Sequence, residues 1–127
     1  MNRFALYRFI APFRSRLQSR LREERLNVDA DAFANRMEAG GRSSEIAHLL
    51  WGMLREEAFV PDFRPEPEDS LSKVYAMGPE EVRDDLVEPL LDRLGLDVEG
   101  IDFKGFDFAL IATPRDVAQF MLKIANT

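Results

Sequence analysis

Apolar side chains recur every three or four residues in four stretches of this chain, and that spacing restricts it to a helical architecture. Val82, Leu86, Val87, Leu90, Leu91 and Leu94 form one stripe; Ile46, Leu49, Leu50, Met53 and Leu54 form another. Val117, Phe120, Met121 and Ile124 form a third, and Leu6, Ile10, Phe13, Leu17 and Leu21 a fourth. Such spacing lines up one face of a helix, and that face has to be buried against a neighbour. With 127 residues, 46% of them hydrophobic, the chain fits a single mainly α domain spanning residues 1–127.

Proline, glycine and small polar residues divide the stripes. Pro12 predicts a break, with the regular leading helix running from about Phe13 to Leu26. Asp29 or Asp31 can cap a short second helix carrying Phe33 and Met37, which Gly40-Gly41 would stop. Ser43 or Ser44 is the expected cap of the Ile46 to Leu54 helix, which should fade near Ala58 ahead of Val60-Pro61 and Pro65-Glu66-Pro67. Asp69 or Ser70 then opens a short turn with Leu71, Val74 and Tyr75, closed by Gly78-Pro79. Pro79 suits the first turn of the next helix and Gly95 its end, while Pro89 inside it predicts a kink at about Asp85. Residues 97–112 mix alternation with glycine breaks and read as an irregular apolar loop or short strand. Thr113 then caps a last helix that starts at Pro114, with Asp116 in its first turn.

Charge is distributed unequally. Residues 1–26 carry seven Arg against two Glu, whereas residues 27–127 carry ten basic against twenty-one acidic side chains. The net charge of −6 argues against nucleic acid as a partner of the body. The leading segment reads as a basic amphipathic helix with three open uses: packing on its own body, lying on an anionic membrane, or acting as an import presequence. Self-association is a variant of the first, with Phe4, Tyr7 and Phe9 as dimer anchors. No stretch is apolar enough to span a bilayer, and zero cysteines are compatible with a reducing cytoplasm.

The order from Ser44 to the end is long helix, Pro-rich loop, short turn, second helix, apolar loop and Thr-capped terminal helix. It resembles the acyl-carrier-protein-like four-helix bundle over residues 44–127. Asp69-Ser70-Leu71 with Val74-Tyr75-Ala76-Met77-Gly78 is similar to that family's loop ahead of its second helix. Thr113-Pro114-Arg115-Asp116-Val117 is similar to the start of its final helix. The resemblance implies a serine at the start of the second helix to accept phosphopantetheine, and that place holds Pro79 or Glu80. A carrier-like fold without carrier chemistry is therefore expected, with no cofactor. The alternative is a working carrier modified at Ser70, within the literal Asp-Ser-Leu tripeptide.

Glu80, Glu81, Asp84, Asp85 and Glu88 crowd the first half of the second carrier-like helix. Acidic groups there complement the helix dipole, and the resemblance adds that this helix is a docking face for basic proteins. His48 is the sole histidine, with no second histidine or cysteine to share a metal or a proton relay. Asp97, Glu99, Asp102 and Asp107 form a loose acidic loop whose glycine placement does not match a calcium loop. No catalytic or metal-binding residue is assigned. The expectation is a non-enzymatic, cytoplasmic protein-binding module docking through its acidic helix, the alternatives being the Ser70 carrier and a peripheral membrane protein held by residues 1–26.

Overall fold

In the computed structural model, which describes residues 3–37, 42–103 and 105–125, the chain is mainly helical, with no strand among the described residues. Helix α1 spans Arg3–Glu24 and passes through Pro12 without the expected break. One proline removes a single amide donor while the flanking hydrogen bonds can still form, so a long helix can absorb it. Helix α2, Ala30–Arg36, is capped by Asp29, whose side chain accepts from the Ala32 amide at 2.8 Å. The Gly40-Gly41 stop lies outside the described residues.

Helix α3, Arg42–Glu57, begins before Ser43 and Ser44, so neither serine is the expected cap; both sit inside its first turn. Ser70 does cap α4, Leu71–Tyr75, accepting from the Lys73 amide at 3.1 Å. Three consecutive segments then make one rod: α5 (Pro79–Glu81), a π-helical stretch (Val82–Val87) and α6 (Glu88–Arg93). The π stretch occupies the place where Pro89 predicts a disturbance. Pro89 cannot donate to Asp85, and the Glu88 amide reaches five residues back to the Arg83 carbonyl, so the register widens.

Gly95, at φ +76°, ends the rod: its amide bonds to the Asp92 carbonyl at 3.0 Å and the Leu96 amide to Leu91 at 2.9 Å. That pair of bonds satisfies orphan carbonyls, and the left-handed backbone it requires costs glycine little. The described residues of 97–112 contain no strand; two 3₁₀ turns, Val98–Gly100 and Phe108–Leu110, punctuate an irregular path. The Phe103, Phe106, Phe108 and Phe120 rings pack with centroids 4.5 to 6.3 Å apart, so the alternating phenylalanines serve an aromatic cluster rather than a sheet. Helix α7, Pro114–Ala125, starts in a reciprocal cap: Thr113 Oγ1 accepts from the Asp116 amide, and the Asp116 carboxylate accepts from the Ala112 and Thr113 amides.

The core lies where α3, the rod and α7 converge on Ile46, Leu50, Leu54, Leu86, Leu90, Leu91, Val117 and Met121, all without solvent exposure. Helix α2 closes one side by packing Phe33 on Trp51 at a centroid distance of 5.5 Å. Helix α1 lies against α4. Its Leu17 and Leu21 are partly buried on the core, so the second half of the leading helix packs on its own body.

Candidate functional site

The acidic side chains of the rod are engaged in different ways. Glu81 turns back toward Gly78, where an added methyl would lie 3.2 Å from its carboxylate, and Glu80 is exposed. Asp84 pairs with Arg83 at 3.0 Å. Asp84 foremost, with more distant help from Glu88 and Glu80, raises the Arg83 pKa, so one cation is held among three acids. Asp84 and Asp85 also border a shallow groove of about 200 Å³ with Glu56 and Glu57 of α3, where Arg93 comes within 3.7 Å of Glu56. The contribution of Glu56 and Glu57 was not legible in the sequence, because it depends on how α3 crosses the rod.

Ser70 is half-buried, its hydroxyl engaged as the α4 cap and 3.2 Å from Ser72 Oγ. It therefore heads a five-residue turn, not the rod, whose first residue is Pro79.

His48 joins Asp31 and Ser44 in an arrangement with the composition of a hydrolytic triad. Nε2 lies 2.9 Å from Asp31 Oδ1, and Nδ1 lies 2.8 Å from the Ser44 carbonyl but 3.4 Å from Ser44 Oγ. A carbonyl can only accept, so Nδ1 carries a proton and cannot serve as base to the serine. The Asp31 hydrogen bond, with a second to Ser44, raises the His48 pKa above 6.5. The cluster is an exposed strap between α2 and α3. Because the folded pKa is raised, its contribution to stability is full below pH 6.5 and is lost as pH rises through the folded value. Exposure limits it to about 0.5 kcal/mol. Asp31→Asn should bring the His48 titration, followed by NMR, back toward 6.5; an unchanged midpoint would refute the strap.

Asp97 and Asp107 are spent on the backbone, accepting from the Glu99 amide at 3.0 Å and the Ala109 amide at 2.9 Å to start the two 3₁₀ turns. Among the described residues no group of three potential metal ligands converges.

A partly buried polar cluster around Arg25 and Asp69 was not singled out by the sequence. Arg25 grips Asp69 with two bonds of 2.9 and 2.6 Å, donates to the Arg64 carbonyl at 3.0 Å and lies 5.6 Å over the Phe63 ring. The Asp69 carboxylate also accepts from the Glu66 amide at 3.0 Å and interacts with the Tyr75 hydroxyl. Burial pushes the Asp69 carboxyl above its ordinary range against the opposing pull of Arg25, and burial also drives the Tyr75 hydroxyl well up. Other arginines hold the same loop. Arg22 donates to the Pro61 carbonyl, Arg55 pairs with Asp62, Arg36 with Glu66, and Arg115 with Glu68. A second hidden contact is Gln18, without exposure, which donates to the Val74 carbonyl at 2.7 Å and accepts from the Phe59 amide at 2.7 Å. Both clusters hold segments in place and offer no open reacting centre.

A recess of about 600 Å³ lies between the Leu96 to Asp102 segment and the end of α7, with Leu96, Ile101 and Ile124 as its apolar walls. Asp97 and Asp102 stand at it with Lys123, its one cation among the described residues. No helix among the described residues is long and apolar enough to cross a membrane. No protein-family model, curated protein or solved structure matches this chain.

Proposed function

We propose that this chain is a non-enzymatic, cytoplasmic protein-binding module of carrier-like helical order that works without a cofactor and docks a basic partner through the acidic side of its rod. The observation that supports this reading most is the pairing of Asp84 and Asp85 with Glu56 and Glu57 around one shallow groove, which places acids from two helices on the same surface. Glu80, Glu81 and Glu88 extend the negative field along the rod. Such a field speeds encounter with a cationic surface and weakens with salt. Replacing Glu80, Glu81, Asp84 and Asp85 together by Gln and Asn should remove basic partners from a pull-down, with an accompanying loss of salt sensitivity. Unchanged recovery of those partners, with unchanged far-UV circular dichroism, would reject the reading.

The carrier reading remains the alternative, because the Ser70 hydroxyl stands half-exposed at a helix cap. Incubation with a phosphopantetheinyl transferase and coenzyme A, followed by intact mass and peptide mapping, separates the two. A phosphopantetheine adduct on Ser70 would establish a carrier, and no adduct beside a modified control carrier would favour the binding module. A third reading, membrane attachment through residues 1–26, has less cationic surface to draw on, since Arg22 and Arg25 are bonded to the body.

A further inference from the structure

We infer that the π-helical stretch is a one-residue insertion in the rod, and that it turns Asp84 and Asp85 toward the groove shared with α3. The role of the turned acids rests on the docking reading above, whereas the insertion stands on the geometry of the rod alone. At about 100° per residue, a regular helix would set Val82 and Leu91 about 180° apart, on opposite sides of the rod. Both are buried, at 1% and 0% exposure, as are Leu86, Val87 and Leu90 between them. With one step fewer, Val82 and Leu91 stand about 80° apart, inside the width of a single core-facing stripe. The π stretch makes that difference. Its hydrogen bonds run from residue i to residue i−5, the Glu88 amide to the Arg83 carbonyl among them, so the six residues Val82–Val87 take up the rotation of about five.

The insertion also decides where the acids face. Between Val82 and Leu86 the rod holds Arg83, Asp84 and Asp85, one residue more than a regular helix with the same buried stripe would hold. Deleting Arg83 turns the i to i−5 bonds into ordinary i to i−4 bonds and leaves both ends of the stripe in the core. It also turns Asp84 and Asp85 back by about 50°, half a residue step, away from Pro89 and Arg93, with which Asp85 lines the groove. Pro89 makes the wide register less costly, because its missing amide leaves a carbonyl unanswered in either register. Arg83 contributes little packing of its own: its side chain is 45% exposed and paired with the neighbouring Asp84. An extra residue that adds so little to the core is explained by what it re-aims, and π turns are frequent at functional sites.

The test compares two single-residue deletions in the full chain, Arg83 from the rod and Gly52 from the middle of α3. Deleting Gly52 removes no side chain and acts through register alone, turning Met53 and Leu54 by about 100° relative to Ile46 and Leu50. The expected result is a thermal midpoint within about 5 °C of the native chain for the Arg83 deletion, against a fall of more than about 10 °C or no cooperative transition for the Gly52 deletion. Equal effects of the two deletions, whether both are tolerated or both unfold the chain, overturn the insertion. Docking is read by isothermal titration with a hexa-arginine peptide at low salt. Removing Arg83 makes the chain more negative, so net charge alone predicts tighter binding, whereas the turned acids predict binding weakened at least about threefold. Binding as tight as that of the native chain, or tighter, overturns the positioning of the acids. A native chain that does not bind the peptide rejects the docking reading and with it the role of the acids, while the thermal comparison still decides the insertion.

Discussion

Arg25→Ala is expected to cost about 3–5 kcal/mol of folding stability, read as a lower urea midpoint with an unchanged slope. The size follows from what is left behind. Arg25 and Asp69 have side chains only 10% and 5% exposed, so removing the guanidinium strands a carboxylate in a place where water cannot replace the two lost bonds. The pH dependence identifies the cause. In the native protein burial already raises the Asp69 pKa, and a group raised on folding contributes stability that is full below its unfolded pKa and is lost as pH rises through the folded value. Without Arg25 the folded pKa climbs further and that window widens upward. The variant should therefore be weakest near neutrality and recover on mild acidification. Adding Asp69→Asn should restore part of the loss at neutral pH. A deficit that does not vary with pH and is not relieved by Asp69→Asn would show that Arg25 matters through packing on Phe63 rather than through charge.

Gln18→Leu is expected to cost about 2–4 kcal/mol, although leucine is the more hydrophobic side chain. The amide answers two backbone groups from segments far apart in the chain, the Val74 carbonyl at the end of α4 and the Phe59 amide after α3. Leucine leaves both unanswered, at about 1–3 kcal/mol for each buried group. Thermal unfolding measures the loss, and hydrogen exchange localises it: the Phe59 amide should exchange faster in the variant. A stability equal to that of the native chain would mean that water replaces the glutamine at both ends.

These two residues also mark the boundary of what the sequence discloses. The stripes at Ile46 to Leu54, Val82 to Leu94 and Val117 to Ile124 identified the core helices, because a helical period is a local property of the chain. Caps at Asp29, Ser70 and Thr113 were readable for the same reason, since each partner lies within three residues. Gln18 and Arg25 act across 56 and 44 residues, and nothing in their neighbourhoods separates them from other polar residues of the basic leading segment. Ser43 and Ser44 erred in the opposite direction: two good capping residues stood together, and the helix began ahead of both. Pro12 and Pro89 show that a proline marks a weakened register and does not by itself decide the outcome. One is absorbed within α1, and the other is preceded by the widened π turn. Of the acidic groove proposed for docking, the rod residues were legible and Glu56 and Glu57 were not, since only the crossing of two helices joins them.

The segment from Phe59 to Ser70 has the composition of a connector, yet it behaves as an inner wall. Phe63, Pro65 and Pro67 are buried, and arginines from α1, α2, α3 and α7 are bonded to it. Its carboxylates and one of its carbonyls are the points on which four helices agree about their positions. A protein engineer looking for a permissive place to insert a label, open new termini or introduce a protease site would be misled by its prolines and charges. Cutting the chain there would disconnect the helices from their common reference while leaving each helix whole.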